Sequence, residues 1–327
     1  MNDQAHQLNS ASGYARAEGW LRMKHHVKRF SGIGYAGRAL IMFLCFLLGA
    51  SHSHAAELRK ETLDAWNQYV AASQQHMRDR ADGASPFLWT DEDPGRAQRL
   101  IQGGMEVAPI INDGSKSVPH GLIHDWVGAV FIPKTSIDKV VGTVRDYDHY
   151  KQYFQPTVVD SRALAHSEQD DQYALRWVNK VLFVNAGVDA KCRTQYIRID
   201  EHRRYATSYS TDLQEIVKYG ESDEHDLAPD VGSGYVWRLY SFARYQERDG
   251  GVYVEIEALA LTRDIPLSLR FLVSPEVKRL SRKSLSDSLQ QTRAAVQGFT
   301  PAADNASAHD PAENRAPHVG SQNFKQH

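Results

Sequence analysis

Cysteine is nearly absent from this chain: Cys45 and Cys192 are the only two in 327 residues. Cys45 lies inside an apolar run near the N-terminus, which leaves Cys192 as the one thiol of the remainder. A lone thiol closes no internal disulfide, so a disulfide-stapled fold is excluded and Cys192 reads as a small core side chain. An excess of either charge is also missing. Thirty-eight Lys and Arg stand against forty Asp and Glu, a net charge of −2. That balance lacks the basic footprint of a nucleic-acid binder. The fifteen histidines are scattered, and no HExxH, paired CxxC or GxSxG occurs, so the pattern calls for no metal, cofactor or activated serine. What is present is globular: 42% hydrophobic and 24% charged residues, over a length that can build a core without a staple.

The run ALIMFLCFLLGA, Ala39 to Ala50, is twelve residues long. Spanning a bilayer takes ~20, so the run suits the central region of a secretory signal. Lys24, Lys28, Arg29 and Arg38 precede it, and Ser53-His54-Ala55 supplies small residues for cleavage after Ala55. Residues 1–55 are therefore expected to be an export signal that starts at Met1 or, at a more ordinary length, at Met23. An exported protein, periplasmic or secreted, follows; an uncleaved signal would leave it membrane-anchored. From Pro301 onward apolar residues are scarce, and 299–327 is expected to be a disordered tail.

Between these ends the periodicity changes twice. Leu58, Thr62, Leu63, Trp66, Tyr69 and Val70 recur at helical spacing over 57–80, which makes 56–102 a helical extension. Met105–Ile111 and Leu122–Ile132 read as strands, then Thr135 or Ser136 caps a helix carrying Ile137, Val140, Val141 and Val144. A short aromatic piece, Tyr147 to Phe154, stops at Pro156. Strand candidates then run at 158–166, 172–182, 188–199, 205–213, 235–247 and 252–265, with turns at 168–171, 185–187 and 249–251 and a polar loop at 220–234. Ser274-Pro275-Glu276 is a helix start, and apolar Val277, Leu280, Leu285, Leu289 and Val296 lead to Gly298. Strands in one block and helices at its ends predict an α+β fold, an antiparallel sheet covered by the closing helix.

Asp249-Gly250 is a two-residue hairpin signal, and it fixes a register with Arg244 opposite Glu255 and Phe242 opposite Glu257. Glu255 and Glu257 share a face with Arg238 and Arg244, an arrangement that favours an ion-pair ladder over acid–base chemistry. The other face carries Trp237, Leu239, Ser241, Ala243 and Tyr245 against Val254, Ile256, Ala258 and Ala260. The closing helix has a stripe of small residues too, Ser281, Ser284, Ser288 and Thr292. Small side chains on facing surfaces admit two readings, close helix–sheet packing or volume kept for a ligand.

The stretch DWVGAVFIP (125–133), the helix after it and DYDHYKQYFQP (146–156) resemble the opening of START-like, or SRPBCC, helix-grip domains. ERDGGVYVEIEALALTRDIP (247–266) resembles their last two strands, and SPEVKRLSRKSLSDSLQQTRAAV (274–296) their closing helix. The likeness covers about residues 103–298. It implies a curved antiparallel sheet wrapped around the long C-terminal helix, with an internal apolar cavity for a lipid, quinone, sterol-like or aromatic molecule. The ligand-binding candidates are Tyr150, Phe154, Trp177, Trp237, Ser241, Ala243, Ile256, Ala258, Ala260, Ser284 and Ser288. A binder or carrier of such a molecule is the leading expectation, and no catalytic residue or cofactor is assigned. A cyclase or hydrolase on the same fold, with His149, Tyr150 or Glu257 as acid or base, and a structural envelope protein with a filled core are the alternatives. The basic cluster Lys278, Arg279, Arg282 and Lys283 would allow transient contact with a membrane surface.

Overall fold

Turn and capping residues divide the chain into a helical opening, a long antiparallel block and one closing helix. The computed structural model describes residues 56–181, 184–266 and 270–298. The expected signal at 1–55 and the expected tail at 299–327 lie outside the described residues. In chain order the elements are β1 (Ala56–Glu57), α1 (Lys60–Ala81), a 3-10 turn (Trp89–Glu92), α2 (Arg96–Ile101), β2 (Met105–Pro109), β3 (Ser115–Val118) and β4 (Gly121–Pro133). Next come α3 (Ile137–Val144), a second 3-10 turn (Tyr147–His149), α4 (Tyr150–Tyr153), β5 (Val158–His166), β6 (Asp170–Val181), β7 (Val184–Arg198) and β8 (Arg203–Val217). The two-residue pieces β9 (His225–Asp226) and β10 (Val231–Gly232) interrupt the polar loop. The hairpin β11 (Arg238–Arg248) and β12 (Gly251–Arg263) precedes α5 (Arg270–Val296).

The main sheet is antiparallel, in the order β2-β4-β12-β11-β8-β7-β6-β5, with β3 beside β4 and β9 beside β8. This is the expected α+β architecture, a curved sheet gripping a C-terminal helix. Every residue of β4 except Pro133 is buried, because both of its faces are covered. A strand covered on both sides reads as a continuous apolar run, not as an alternation. Its even-numbered side chains, Trp126, Val130 and Ile132, join α3 and the α5 residues Leu285, Leu289 and Val296. Its odd-numbered ones, Ile123, Val127, Ala129 and Phe131, join Trp66 and Met77 of α1 and Phe87, Leu88 and Trp89. We call the α5 side inner and the α1 side outer. Gly128 is a close approach of helix to sheet, since a Cβ there would stand 2.6 Å from Leu289 Cδ1.

Several predicted boundaries move, β8 running on to Val217 among them, and two of the shifts have a clear cause. Residues 185–187 do not turn; they extend β7, with Asn185 opposite Lys180 and Gly187 opposite Val178, so the reversal falls between Val181 and Val184. Asn and Gly are turn formers only where no partner strand claims their backbone. The closing helix starts at Arg270 instead of Ser274, and Pro275 lies inside it. Within the second turn a proline forfeits one intrahelical hydrogen bond, and the five residues ahead of it are enough to begin the helix. Of the two cap candidates for α3 it is Ser136 that caps: its Oγ accepts from Lys139 N at 3.3 Å.

Candidate functional site

The last hairpin positions the site. Asp249 and Gly250 take φ of +57° and +77°, and the pairing runs Arg248–Gly251, Arg244–Glu255 and Phe242–Glu257, as the two-residue turn dictates. Alternation then sorts its side chains onto two surfaces.

The outer surface is sealed. Arg244 is 1% exposed and Glu255 0%. Arg244 Nε donates to Glu255 at 3.0 Å and its Nη1 to Glu257 at 2.9 Å. Glu255 also accepts from Trp89 N (2.9 Å), Thr90 N (2.7 Å) and Thr90 Oγ1 (2.6 Å). One buried carboxylate thus ties the segment after α1 to the sheet. Tyr69 of α1 donates to Asp125 at 2.7 Å, and Gln74 donates to the Tyr240 hydroxyl at 3.0 Å. Burial, with Glu257 nearby, pushes the Asp125 carboxyl up to about 7.

The inner surface is different. Ser241, Ala243, Ile256, Ala258 and Ala260 are each only half-buried, while the residues alternating with them are mostly closed off. The sheet-facing stripe of α5 is Leu285, Leu289, Thr292 and Val296, which covers β4 and leaves this part of the hairpin beside the helix. Ser288 flanks that stripe and is half-buried. His124, opposite Ala260, closes the edge of the surface. Its Nε2 lies 3.0 Å from Thr262 Oγ1, and burial lowers its pKa to about 4, so it is neutral at pH 7.

Across the sheet the same face becomes aromatic and polar. Tyr147 stacks on Tyr173 with centroids 4.1 Å apart, and Tyr150 meets Phe154 edge-on at 4.8 Å. Trp177 packs between this group and Val188, Leu213 and Val236. Asp171, fully buried, accepts from Arg145 Nε at 2.9 Å and Nη2 at 2.8 Å and from the Tyr147 hydroxyl at 3.1 Å. Tyr147 and Tyr196 hydroxyls are 2.9 Å apart, and Tyr173 bonds Ser208 Oγ at 3.0 Å. Arg145 and Asp171 went unread in the sequence, because a buried ion pair between a helix end and a strand 26 residues later has no local pattern. His124 and its neighbour Asp125 had a signal: two polar residues inside an otherwise apolar run.

Several candidates are not brought together. Trp237 packs with the outer-face cluster that includes Trp66 and Leu261, not beside Ser241. It precedes the first paired residue of β11, so the strict alternation that placed it inside does not reach it. Ser284 is exposed, since a helix one residue away from its buried stripe points past the sheet. Glu257 belongs to the outer face through Arg244 and cannot act in an inner cavity. His149 is exposed and pairs with Asp146 at 2.6 Å. Tyr150 donates its proton to the Val144 carbonyl. Burial pushes the Cys192 thiol up to about 12, consistent with an inert core residue. No cluster of metal-ligating side chains occurs among the described residues. An open depression of about 570 Å³ lies elsewhere, at the hairpin tip, edged by Lys134, Lys139 and Arg248. Its rim is polar and offers an apolar ligand little burial.

No protein-family model matches the sequence, and no curated protein matches it significantly. Solved structures do match. A STAR-related lipid transfer protein fragment from Xanthomonas axonopodis is 17% identical with a TM-score of 0.38, over 59% of this chain and 99% of that one. The Zhui aromatase/cyclase from Streptomyces sp. R1128 is 12% identical with a TM-score of 0.36, over 54% and 94%. A START superfamily protein from Mycobacterium smegmatis is 10% identical with a TM-score of 0.33, over 54% and 97%. At such identities and scores the matches transfer neither a ligand nor an activity.

Proposed function

We propose that this protein is exported and holds an apolar small molecule against the inner face of β11 and β12, as a binder or carrier and not as a catalyst. One observation carries the reading. Ser241, Ala243, Ile256, Ala258 and Ala260 are only partly buried, on a face whose reverse side is sealed by α1. Small side chains leave space and apolar area that a ligand would cover, at ~25 cal/mol per Å². The polar groups at the tyrosine end would orient it. Entry would be by movement of the first half of α5. That half contains Pro275 and is held to the body through the surface ion pair Lys278–Asp113. The α4 segment is fastened more firmly, through Asp171, through Asp148 to Ala163 N at 2.9 Å and through Ser161 to Lys151 N at 3.0 Å. Of the basic cluster on α5, Lys278, Arg279 and Lys283 are already ion-paired, which weakens any pull toward an anionic membrane. Export rests on the signal-like run at 39–50 and the small residues that follow it.

The test is native mass spectrometry of the protein purified from the exported fraction, followed by extraction. One apolar molecule per chain is expected. A bare protein that takes up no lipid, quinone or aromatic compound would sink the reading.

A further inference from the structure

The lysines of this molecule have partners, with two exceptions. Lys60, Lys151, Lys191, Lys218, Lys278 and Lys283 are ion-paired, and Lys116 lies over the Tyr69 ring. Among the lysines whose side chains are described, only Lys134 and Lys139 have ammonium groups with no hydrogen bond, ion pair or ring contact. Both edge the same concavity, the depression of about 570 Å³ at the hairpin tip.

Three chain reversals build this concavity. β4 ends at Pro133, and the chain turns at Lys134, whose φ is +56° and whose N–H donates to Gly250 O at 2.8 Å. The hairpin brings Gly250 and Gly251. A Cβ on Gly251 would stand 2.3 Å from Ile132 O, so only glycine lets these two loops touch. The β7–β8 turn adds His202, whose carbonyl accepts from Glu247 N at 2.9 Å. The capped start of α3 belongs to the same wall, and a helix N-terminus carries partial positive charge. The other charged groups here are committed. Arg248 donates to both carboxylate oxygens of Asp91, at 3.1 and 2.5 Å, and Asp138 pairs with Arg204 at 2.5 Å. Glu247 Oε2 accepts from Ile137 N at 2.7 Å, which leaves its Oε1 as a free acceptor.

We propose that the hairpin-tip depression binds a phosphate-bearing polyol, its phosphate shared by Lys134 and Lys139 and one of its hydroxyls donating to the free oxygen of Glu247. Two unpaired cations around one concavity repel each other and attract a common anion, and a concave wall concentrates their field. A phosphate monoester carries about −1.5 to −2 charges and three acceptor oxygens, which suits two ammonium groups better than a single carboxylate does. A bare phosphate would leave Glu247 unmet and most of the volume empty, while small-molecule sites take ~300–1,000 Å³. A soluble glycerol or sugar phosphate offers this chemistry, and so does the glycerophosphate headgroup of an anionic lipid. The proposal is independent of the inner-face binding put forward above.

The test titrates the full chain calorimetrically with glycerol 3-phosphate and with inorganic phosphate, and sediments it with vesicles of phosphatidylglycerol in phosphatidylcholine or of phosphatidylcholine alone. The same is done for Lys134→Asn, Lys139→Gln and the double variant; asparagine tolerates the left-handed backbone at 134. Glycerol 3-phosphate is expected to bind about three- to tenfold tighter than inorganic phosphate, each single variant to weaken it by a similar factor, and the double variant to abolish it. Saturable binding of glycerol 3-phosphate that the double variant loses supports the proposal with a soluble ligand. Sedimentation with the phosphatidylglycerol vesicles only, lost in the double variant, supports it with a lipid headgroup. Wild-type binding by the double variant, inorganic phosphate bound as tightly as glycerol 3-phosphate, or binding of no probe each overturns it. Neither ammonium group makes a contact, so the variants keep the fold, which melting checks. Their uptake of apolar molecules should equal that of the wild type, so failure here leaves the inner-face reading standing.

Discussion

The two faces of one hairpin, β11–β12, are built from the same strands and meet opposite fates. Outside, Tyr240, Phe242, Arg244, Glu255, Leu259 and Leu261 are all buried under α1 and the 3-10 turn after it. Inside, Ser241, Ala243, Ile256, Ala258 and Ala260 are only partly buried beside α5. The outer face spends large and charged side chains on being closed. The inner face is closed near the hairpin tip by Tyr245, Val252 and Val254 and keeps small, part-exposed side chains along the rest of its length. A sheet of this kind needs one rigid side to keep the other available, and here the rigid side depends on a buried ion pair as well as on apolar packing.

That contrast can be broken from the outside first. Arg244→Met strands Glu255 without its cation, and a loss of about 3–5 kcal/mol is expected in urea unfolding, with ligand uptake intact in the folded fraction. Next comes acidity. The folded-state pKa of Asp125 is about 7, above its ordinary value of 3.8, so the folded protein holds the proton more tightly than the unfolded chain. Its stabilising contribution is full below about pH 4 and is lost as pH rises through 7, by at most about 4 kcal/mol. Urea midpoints from pH 4 to pH 8 should show that decline, and Asp125→Asn should flatten it. On the inside, Ala258→Trp fills open space. Its stability should change by less than about 1.5 kcal/mol, yet apolar uptake should disappear. Uptake that survives in a folded Ala258→Trp protein would place the ligand elsewhere. The smallest effect is expected at Ser284, exposed on α5. Ser284→Ala should leave stability within about 0.5 kcal/mol and binding unchanged.

Much of this was legible beforehand where the signal is local. The Asp249-Gly250 turn set the hairpin register residue by residue, because a two-residue loop admits one pairing. Ser136 announced α3 through its cap, and the helical stripe Thr62, Trp66 and Tyr69 announced α1. Alternation misplaced Trp237 because the residue stands just outside the paired strand. The turn reading of 185–187 failed because partner-strand pairing outweighs turn propensity. The tyrosine end was seen only as a list of aromatics. That Tyr147 and Arg145 converge on Asp171 depends on contacts that join segments far apart in the chain.

Element types, their order, the hairpin register and the split of its residues into two faces follow from sequence alone, since each depends on backbone geometry over a few neighbouring residues. Which face is sealed was decided only by tertiary structure. Burial depends on where α1 and α5 settle across the sheet. That is settled by the ion pair at Glu255, the closeness that Gly128 allows to Leu289 and the packing of side chains far apart in the chain, such as Met77 and Arg244, which are 167 positions apart.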